Sequence, residues 1–375
     1  MSEADLLGTV DQIATDVIAK HAIAVDAEAR FPGESMQALA EAGVLGVLSS
    51  PDVGGLGLGL GAASQAVRRV AQACGSTAMV LTMHLCGVGV LEAVGGRAEL
   101  RRDCAKGDHL LTLAFSEAGS RSHFWAPVST AAAEGDRVRL DAHKGWVTSA
   151  SHARSYVWSS KPVQAEGAST LWLVPRDAEG LTVAGPFDGL GLRGNDSSPV
   201  RAQGVTVPRS AMLGDDGKGF DLMMSAVLPA FQVLNASCSL GLCQAAVART
   251  IGHVSGTSFQ HLGAALRDLP TIRAYVARMK IEVDMVQTLL DDTTAALAEA
   301  RADAMLRVLQ SKAAAGESAT RILDTAMRVC GGAAFRKEVG VERLFRDARA
   351  AGVMAPTTDV LYDFIGKAVT GLDLF

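Results

Sequence analysis

Two glycine-rich stretches are the first candidates for chemistry. "GLGLRG", residues 189–194, fits the G-x-G-x-x-G pattern of dinucleotide-binding turns. That pattern works when it follows a strand and opens a helix whose N-terminus faces a pyrophosphate. Here it runs into "NDSSPVRAQGVTV", which reads as another strand, so the phosphate-binding reading is rejected. "GLGLGA", residues 57–62, fits only a looser form, lies in a loop after a helix, and reads as a plain turn. Six cysteines (74, 86, 104, 238, 243 and 330) form no C-x-x-C pair and no zinc spacing. No metal site is expected, and they read as small buried hydrophobes in a reducing cytoplasm. What remains is a set of hydroxyl, aromatic and glycine residues. These are Phe115, Ser116, Ser122 and His123 in "FSEAGSRSH", Trp146 and Thr148 in "GWVTSA", Gly331 and Gly332 in "CGGAAF", and Thr357 and Asp359 in "MAPTTD". His123 is the one unusual titratable residue type in a candidate loop, but a lone loop histidine is more often a surface residue. Taken singly, Trp146 reads as core, and the Gly-Gly pair reads as a helix end or a close backbone approach.

The elements that must position these residues fall into three blocks. Leu6, Leu7, Val10, Ile13, Val17 and Ile18 recur at helical spacing. "FPGESMQALAEAGVLGVLSS" repeats the pattern, with Pro32 where a helix can start and Gly43 where one can stop. From about residue 110 the text becomes short runs of β-branched and aromatic residues punctuated by Gly, Pro, Asp and Ser, an antiparallel β signature that stops at Val207-Pro208. From about 218 it is helical to the end, with two long bundle helices expected to turn near Asp291–Thr294. The expected organisation is therefore α+β, with a helical domain over 1–111, a β-domain over 112–212 and a helical bundle over 213–375.

Composition narrows the function classes. The chain has 375 residues, 49% of them hydrophobic, with net charge −5. That is enough for a large core, and no Lys/Arg run marks a nucleic-acid or anionic-lipid surface. Glu3, Asp5 and Asp11 at the N-terminus argue against a signal peptide. The apolar stretch 79–94, interrupted by His84 and Glu92, reads as too short to span a membrane. A cytoplasmic protein without nucleic-acid or membrane partners is expected.

Eight segments in order carry a resemblance: "FPGESMQALAEAGVLGVLSSPDVGGLGLGL", "FSEAGSRSH", "LDAHKGWVTSA", "GLGLRGNDSSPVRAQGVTVP", "LGDDGKGFDLMM", "GLCQAAVA", "RVCGGAAF" and "VERLFRDARAAGVMAPTTD". Together they resemble the acyl-CoA dehydrogenase family over nearly the whole chain. The resemblance implies FAD, the same helix–sheet–helix fold with a C-terminal four-helix bundle, and a homo-oligomer, a dimer or a tetramer. It places Phe115 and Ser116 at the flavin, with the Ser116 hydroxyl at its pyrimidine end. It places Trp146 against the ring, Thr148 at N5, and Ser122 near the pyrophosphate and the pantetheine path. Gly331 and Gly332 would approach the FAD pyrophosphate, often that of a neighbouring subunit. Thr357 and Asp359 would touch the cofactor in the last loop.

The departures are as informative. The family usually carries its proton-removing glutamate where this chain has Ala355, followed by Gly where it has Pro356. A second location for that base falls on Phe231, and the arginine after it is Gln232. Ser122, Phe231, Gln232 and Ala355 are the expected substrate-side residues. Pro229 stands for an aspartate of the pantetheine end. Phe259, Leu262 and Pro270 stand for an Arg, a Phe and a Gln that reach a partner's FAD, and only Gly263 agrees there. Ser120-Arg121-Ser122-His123 replaces Ala-Gly-Ser-Asp. No residue is assigned as the catalytic base, and His123 is the one candidate. The implied activity is FAD-dependent oxidation of an acyl thioester, carried on CoA or acyl-carrier protein, with an unusual substrate and an unassigned electron acceptor. A flavin monooxygenase and a non-catalytic subunit paired with an active homologue are the alternatives.

Overall fold

The structure is a computed structural model and describes residues 1–261 and 263–375. Leu262, matched above to a partner-facing phenylalanine, lies outside the described residues. The N-terminal block is helical: α1 (Glu3–Ile13), α2 (Ala19–Ala27), α3 (Gly33–Glu41), α4 (Gly59–Ala73), α5 (Gly75–Val94) and α6 (Ala98–Lys106). Ser2 and Asp5 cap α1 reciprocally: the Asp5 N–H donates to Ser2 Oγ at 3.2 Å and the Ser2 N–H to Asp5 Oδ2 at 3.2 Å. α3 starts after Pro32, and Gly43 follows its end in the left-handed region at φ 74°.

The middle block forms two four-stranded sheets. β1 (Leu111–Ala114), β4 (Ser155–Ser160), β5 (Thr170–Pro175) and β8 (Met212–Leu213) make one. β2 (Thr130–Glu134), β3 (Arg137–Val147), β7 (Ser198–Pro208) and β6 (Leu181–Val183) make the other, each in the order given. Every pairing in these two sheets is antiparallel except β1–β4, which is parallel. The reason is topological: between β1 and β4 the chain makes the β2–β3 hairpin of the other sheet, so it re-enters the first sheet in the same direction. That long crossover, 115–154, carries Phe115, Ser116, Ser122, His123, Trp146 and Thr148. Trp158 and Trp172 face each other across β4 and β5, fully buried, in a core with Leu140, Tyr156, Val200 and Val205.

The C-terminal block holds α7 (Gly219–Leu222), α8 (Leu228–Gly256), α9 (Pro270–Ala298), α10 (Ala304–Cys330), α11 (Val341–Ala348), α12 (Ala350–Val353) and α13 (Thr358–Thr370). α8 packs against α4, α9 and α10, and α13 against α10, so the bundle shares its core with the N-terminal helices. The turn between the two long helices falls at 299–303, not at 291–294 as read from the sequence. Thr293 stays helical because its buried hydroxyl donates to the Leu289 carbonyl at 2.7 Å. The chain reverses at Ala300 (φ 50°), where Arg301 bridges Asp292 and Asp303 at 2.7 and 3.0 Å. The apolar stretch 79–94 also differs from expectation. It belongs to α5, which among the described residues is one of two helices long and apolar enough to cross a membrane, but 72% of its most apolar window is buried inside the protein.

A seam of charge joins the blocks. Arg343 on α11 donates to the Ala22 and Ala73 carbonyls, both at 3.1 Å. Arg346 pairs with Asp26 at 2.6 Å and Glu342 at 2.7 Å. The Leu192 N–H donates to Asp347 Oδ1 at 2.7 Å, which pins the 187–192 loop to α11. At Gly191 a Cβ would lie 2.3 Å from the Arg346 carbonyl oxygen, so only glycine allows this approach. Burial pushes the Asp347 carboxyl up to about 6, against the Leu192 N–H and Arg343, which favour its charge. Its native value lies above its unfolded one, so its contribution to stability is full below about pH 4 and is lost as pH rises through about 6. Asp347→Asn keeps an acceptor for Leu192 and should relieve on the order of 3 kcal/mol at neutral pH. Thermal melts from pH 4 to 7.5 should show the variant gaining on the wild type as pH rises; parallel profiles would refute this.

Candidate active-site cavity

A cavity of about 1170 Å³ opens where the three blocks meet. α5 contributes Met79 and Met83, and the head of the α8 helix contributes Val227, Leu228 and Phe231. The β-domain contributes Phe115, Ser116, Ser122, Phe124, Trp146 and Thr148. The last loop contributes Met354, Ala355 and Thr357. Eight of the sequence-derived candidates thus share one wall system, although they come from four separate segments.

Local structure explains how they meet. Beyond β1 the chain zips onto the end of β3: the Gly145 N–H donates to the Ser116 carbonyl at 2.8 Å, and Glu117 bridges to Lys144 in register. This sets Ser116 and Trp146 on the same rim. Trp146 is not the core residue its type suggests; it is 74% exposed, with φ 57°. The Thr148 and Ser197 hydroxyls are 3.1 Å apart. Asp196, at φ 51°, accepts the Ser151 N–H at 2.6 Å and so shapes the turn that follows Thr148. Ser122 and Thr357, 235 residues apart, meet directly: the Thr357 N–H donates to Ser122 Oγ at 2.9 Å.

The other candidates lie elsewhere. Gln232 is fully buried behind the wall, with neither amide atom hydrogen-bonded, because adjacent helix positions point about 100° apart and Phe231 takes the cavity face. His123 is exposed on the far side of its turn, its ring 5.1 Å from Trp125, and does not line the cavity. It is therefore not placed to act as a base there. Gly331, Gly332 and Asp359 are exposed on the surface, away from this chain's cavity.

Two buried lysines escaped the sequence reading. Lys144 and Glu117 form an ion pair, with side chains 0% and 2% exposed. Lys144 Nζ also donates to the Ser159 carbonyl at 2.7 Å, and Glu117 Oε2 accepts the Val128 and Ser129 N–H groups at 2.7 and 3.0 Å. Burial acts to raise the Glu117 carboxyl, but Lys144 and these donors together hold it below the usual range. Lys312 on α10 donates to the carbonyls of Ala351, Met354 and Pro356 at 3.0, 3.0 and 2.8 Å. It thereby holds the loop that carries Ala355 and Thr357. Its only sequence signal is a lysine at a core position of an amphipathic helix.

The cavity suits the FAD that the resemblance implies. Trp146 offers a broad apolar face, Ser116 and Thr148 offer hydroxyls, and Asn195 presents a buried carbonyl oxygen with no partner in the protein. A large heteroaromatic ring with a polar edge fits that donor set.

Comparison with known proteins agrees over the full length. The acyl-CoA dehydrogenase N-terminal, middle and C-terminal domain models match residues 2–104, 112–205 and 217–370. The short-chain specific mitochondrial acyl-CoA dehydrogenase of Bos taurus is 29% identical over 90% of this chain and 82% of that protein. The butyryl-CoA dehydrogenase structure from Megasphaera elsdenii superposes with a TM-score of 0.92 at 20% identity, covering 98% of both chains. The structure of the prolyl acyl carrier protein oxidase AnaB superposes at 0.88 and 18% identity, also covering 98% of both. With all three domain models matched in order, the chain belongs to the acyl-CoA dehydrogenase family of FAD-dependent oxidoreductases, which act on acyl thioesters.

Proposed function

We propose that this protein oxidises an acyl thioester whose reacting carbon bears a hydroxyl or amino group, presented on acyl-carrier protein or CoA. The observation that carries this reading is the apolar part of the cavity wall. Ala355 and Phe231 stand there with Met354, Leu228 and Met79, and none of these can take a proton. The carboxylates on the cavity are Glu117, committed to Lys144, and Asp188, bridged to Arg193 at 3.0 Å. Removal of a carbon-bound α-proton needs a positioned base. A hydroxyl or ammonium proton can pass to water or buffer, so it does not require a carboxylate fixed on this wall, and the carbon-bound hydrogen leaves with its electron pair to the acceptor.

Bound FAD supplies the two-electron acceptor. Ser116 and Thr148 would hydrogen-bond its polar edge, and Trp146 would cover its face. Ser122 and Thr357, joined to each other, border the path of the thioester arm. The apolar wall excludes water from the acyl chain. Acyl-carrier protein is a carrier used by a protein of the same fold, the prolyl oxidase, and Pro229 and Gln232 replace residues that the family resemblance assigns to the CoA side. The exposed Gly331, Gly332 and Asp359 suit a homo-oligomer in which a second copy brings them to its neighbour's cofactor. Six free, buried cysteines suit a reducing compartment, and the cytoplasm is the proposed location.

Anaerobic titration of the FAD-reconstituted protein tests the reading. β-Hydroxy- or amino-acyl thioesters should bleach the oxidised flavin band, and simple saturated acyl-CoA should not. FAD that stays bound but is bleached by no thioester would favour an oxygen-activating monooxygenase instead. FAD that is never retained would favour a non-catalytic subunit. Ala355→Glu alone should leave turnover of saturated acyl-CoA at least 100-fold below that of a typical dehydrogenase. Pro356 restricts the backbone beside it, and Lys312 fixes the flanking carbonyls. Robust turnover by that variant would refute this account of the loop.

A further inference from the structure

Charge on the cavity wall is not balanced within the protein. Five charged side chains line it: Glu117, Arg121, Asp188, Arg346 and Arg349. Glu117 is paired with Lys144, Asp188 with Arg193, and Arg346 with Asp26 and Glu342. Among the described residues, Arg121 and Arg349 have no carboxylate within 4.0 Å. The Arg349 guanidinium lies over the Phe345 ring at 4.7 Å, which occupies its face and leaves its N–H edge for a ligand. Two uncompensated cations and no free carboxylate make the cavity a receptor for an anion of about two charges.

Arg121 stands in a backbone conformation that does not suit it. Its φ is 49°, in the left-handed region, which is unfavourable for a residue with a Cβ. The family pattern has glycine at this position. A turn alone would be better served by glycine, so an arginine kept there points to a task for its side chain. Its neighbour Ser122 is tied to Thr357, which fixes the backbone at the seam between the β-domain and the bundle. A cation is also missing elsewhere: Phe259 occupies the position where the resemblance places an arginine for a partner's FAD.

We propose that Arg121, with Arg349, forms a phosphate-binding subsite of this cavity. The guanidinium fork matches the paired oxygens of a phosphate ester or diphosphate. Two ligands carry that chemistry: the diphosphate of FAD, and the phosphate of a phosphopantetheine arm. The second source rests on the thioester reading given above, and the first does not.

Arg121→Gly is the informative variant, because glycine relieves the backbone and should leave the melting temperature unchanged or slightly raised. Arg121→Gly and Arg121→Gly/Arg349→Gln should be tested for binding of FAD and riboflavin by flavin fluorescence. The FAD-loaded forms should then be tested by calorimetry with a phosphopantetheinyl acyl thioester and the matching N-acetylcysteamine thioester, which lacks phosphate. A loss of at least tenfold for FAD with riboflavin unchanged assigns the subsite to the cofactor. Unchanged FAD with a tenfold loss for the phosphopantetheinyl ligand alone assigns it to the substrate arm. In either case the wild-type affinity should fall more steeply with salt than that of the variant. Unchanged affinities throughout in the double variant, or an equal loss for riboflavin and FAD, would overturn the proposal. If neither thioester binds the wild type, the thioester reading fails, while the FAD comparison still decides the subsite.

Discussion

A single buried ammonium holds the wall that distinguishes this cavity. Lys312 is 1% exposed and donates to three backbone carbonyls of the 351–356 segment. No carboxylate shares the site, and burial pulls the ammonium down to about 7. Burying a charge without a counter-ion is costly, and three charge-assisted hydrogen bonds are what offset it. They also satisfy carbonyls at the end of α12 that have no helical partner. Because Lys312 sits on a 27-residue helix in the bundle core, the loop inherits the rigidity of that helix. Thr357 is then presented to Ser122, so the bundle and the β-domain close on each other through a segment that would otherwise have little to fix it.

The β-domain reaches the same cavity by a different device. Lys144 has a carboxylate, Glu117, and the pair sits between the end of β3 and the segment leaving β1. A buried pair of this kind contributes little net stability compared with a well-packed apolar substitute, but breaking one side leaves the other charge stranded. Its value here is positional. It holds one register between two segments, and that register places Ser116 beside Trp146. The exposed Trp146 and the strained backbone at Arg121, Trp146 and Leu192 are tolerated because anchors of this kind hold the surrounding chain.

Much of this was legible in the sequence, for reasons that differ by level. Three blocks could be read because periodicity changes sharply near residues 110 and 210, where apolar residues switch from helical spacing to short β-branched runs and back. The helix turn at 299–303 was not readable. Asp291, Asp292, Thr293 and Thr294 look like a turn, and only the Thr293 hydroxyl folding back on Leu289 and the Arg301 bridges show otherwise. The site residues on β-domain turns and the last loop were found because they sit in ordered motifs. Phe231 and Gln232 were both expected at the substrate, yet one lines the cavity and the other hides behind it. That difference is a rotation of about 100° on one helix, which no motif encodes. Lys144 and Lys312 could not be found at all, because a lysine gains its role from burial and from carbonyls distant in sequence.

The departures from the family pattern point in one electrostatic direction. A carboxylate that removes a proton requires a wall that can carry negative charge at the substrate. Here both positions that could supply one are apolar, and the lysine beneath the loop has no anionic partner to share. On the rim, a position that the pattern gives to glycine carries a cation instead. Each change alone reads as drift. Together they leave a cavity with an apolar floor at Ala355 and Phe231 and an added cation at Arg121. The Ser122–Thr357 clasp, the exposed Trp146 and the strained Arg121 all border this one cavity. Their joint presence at one cavity is what a working flavin site requires, and the proposed loss of a proton from a heteroatom rests on it.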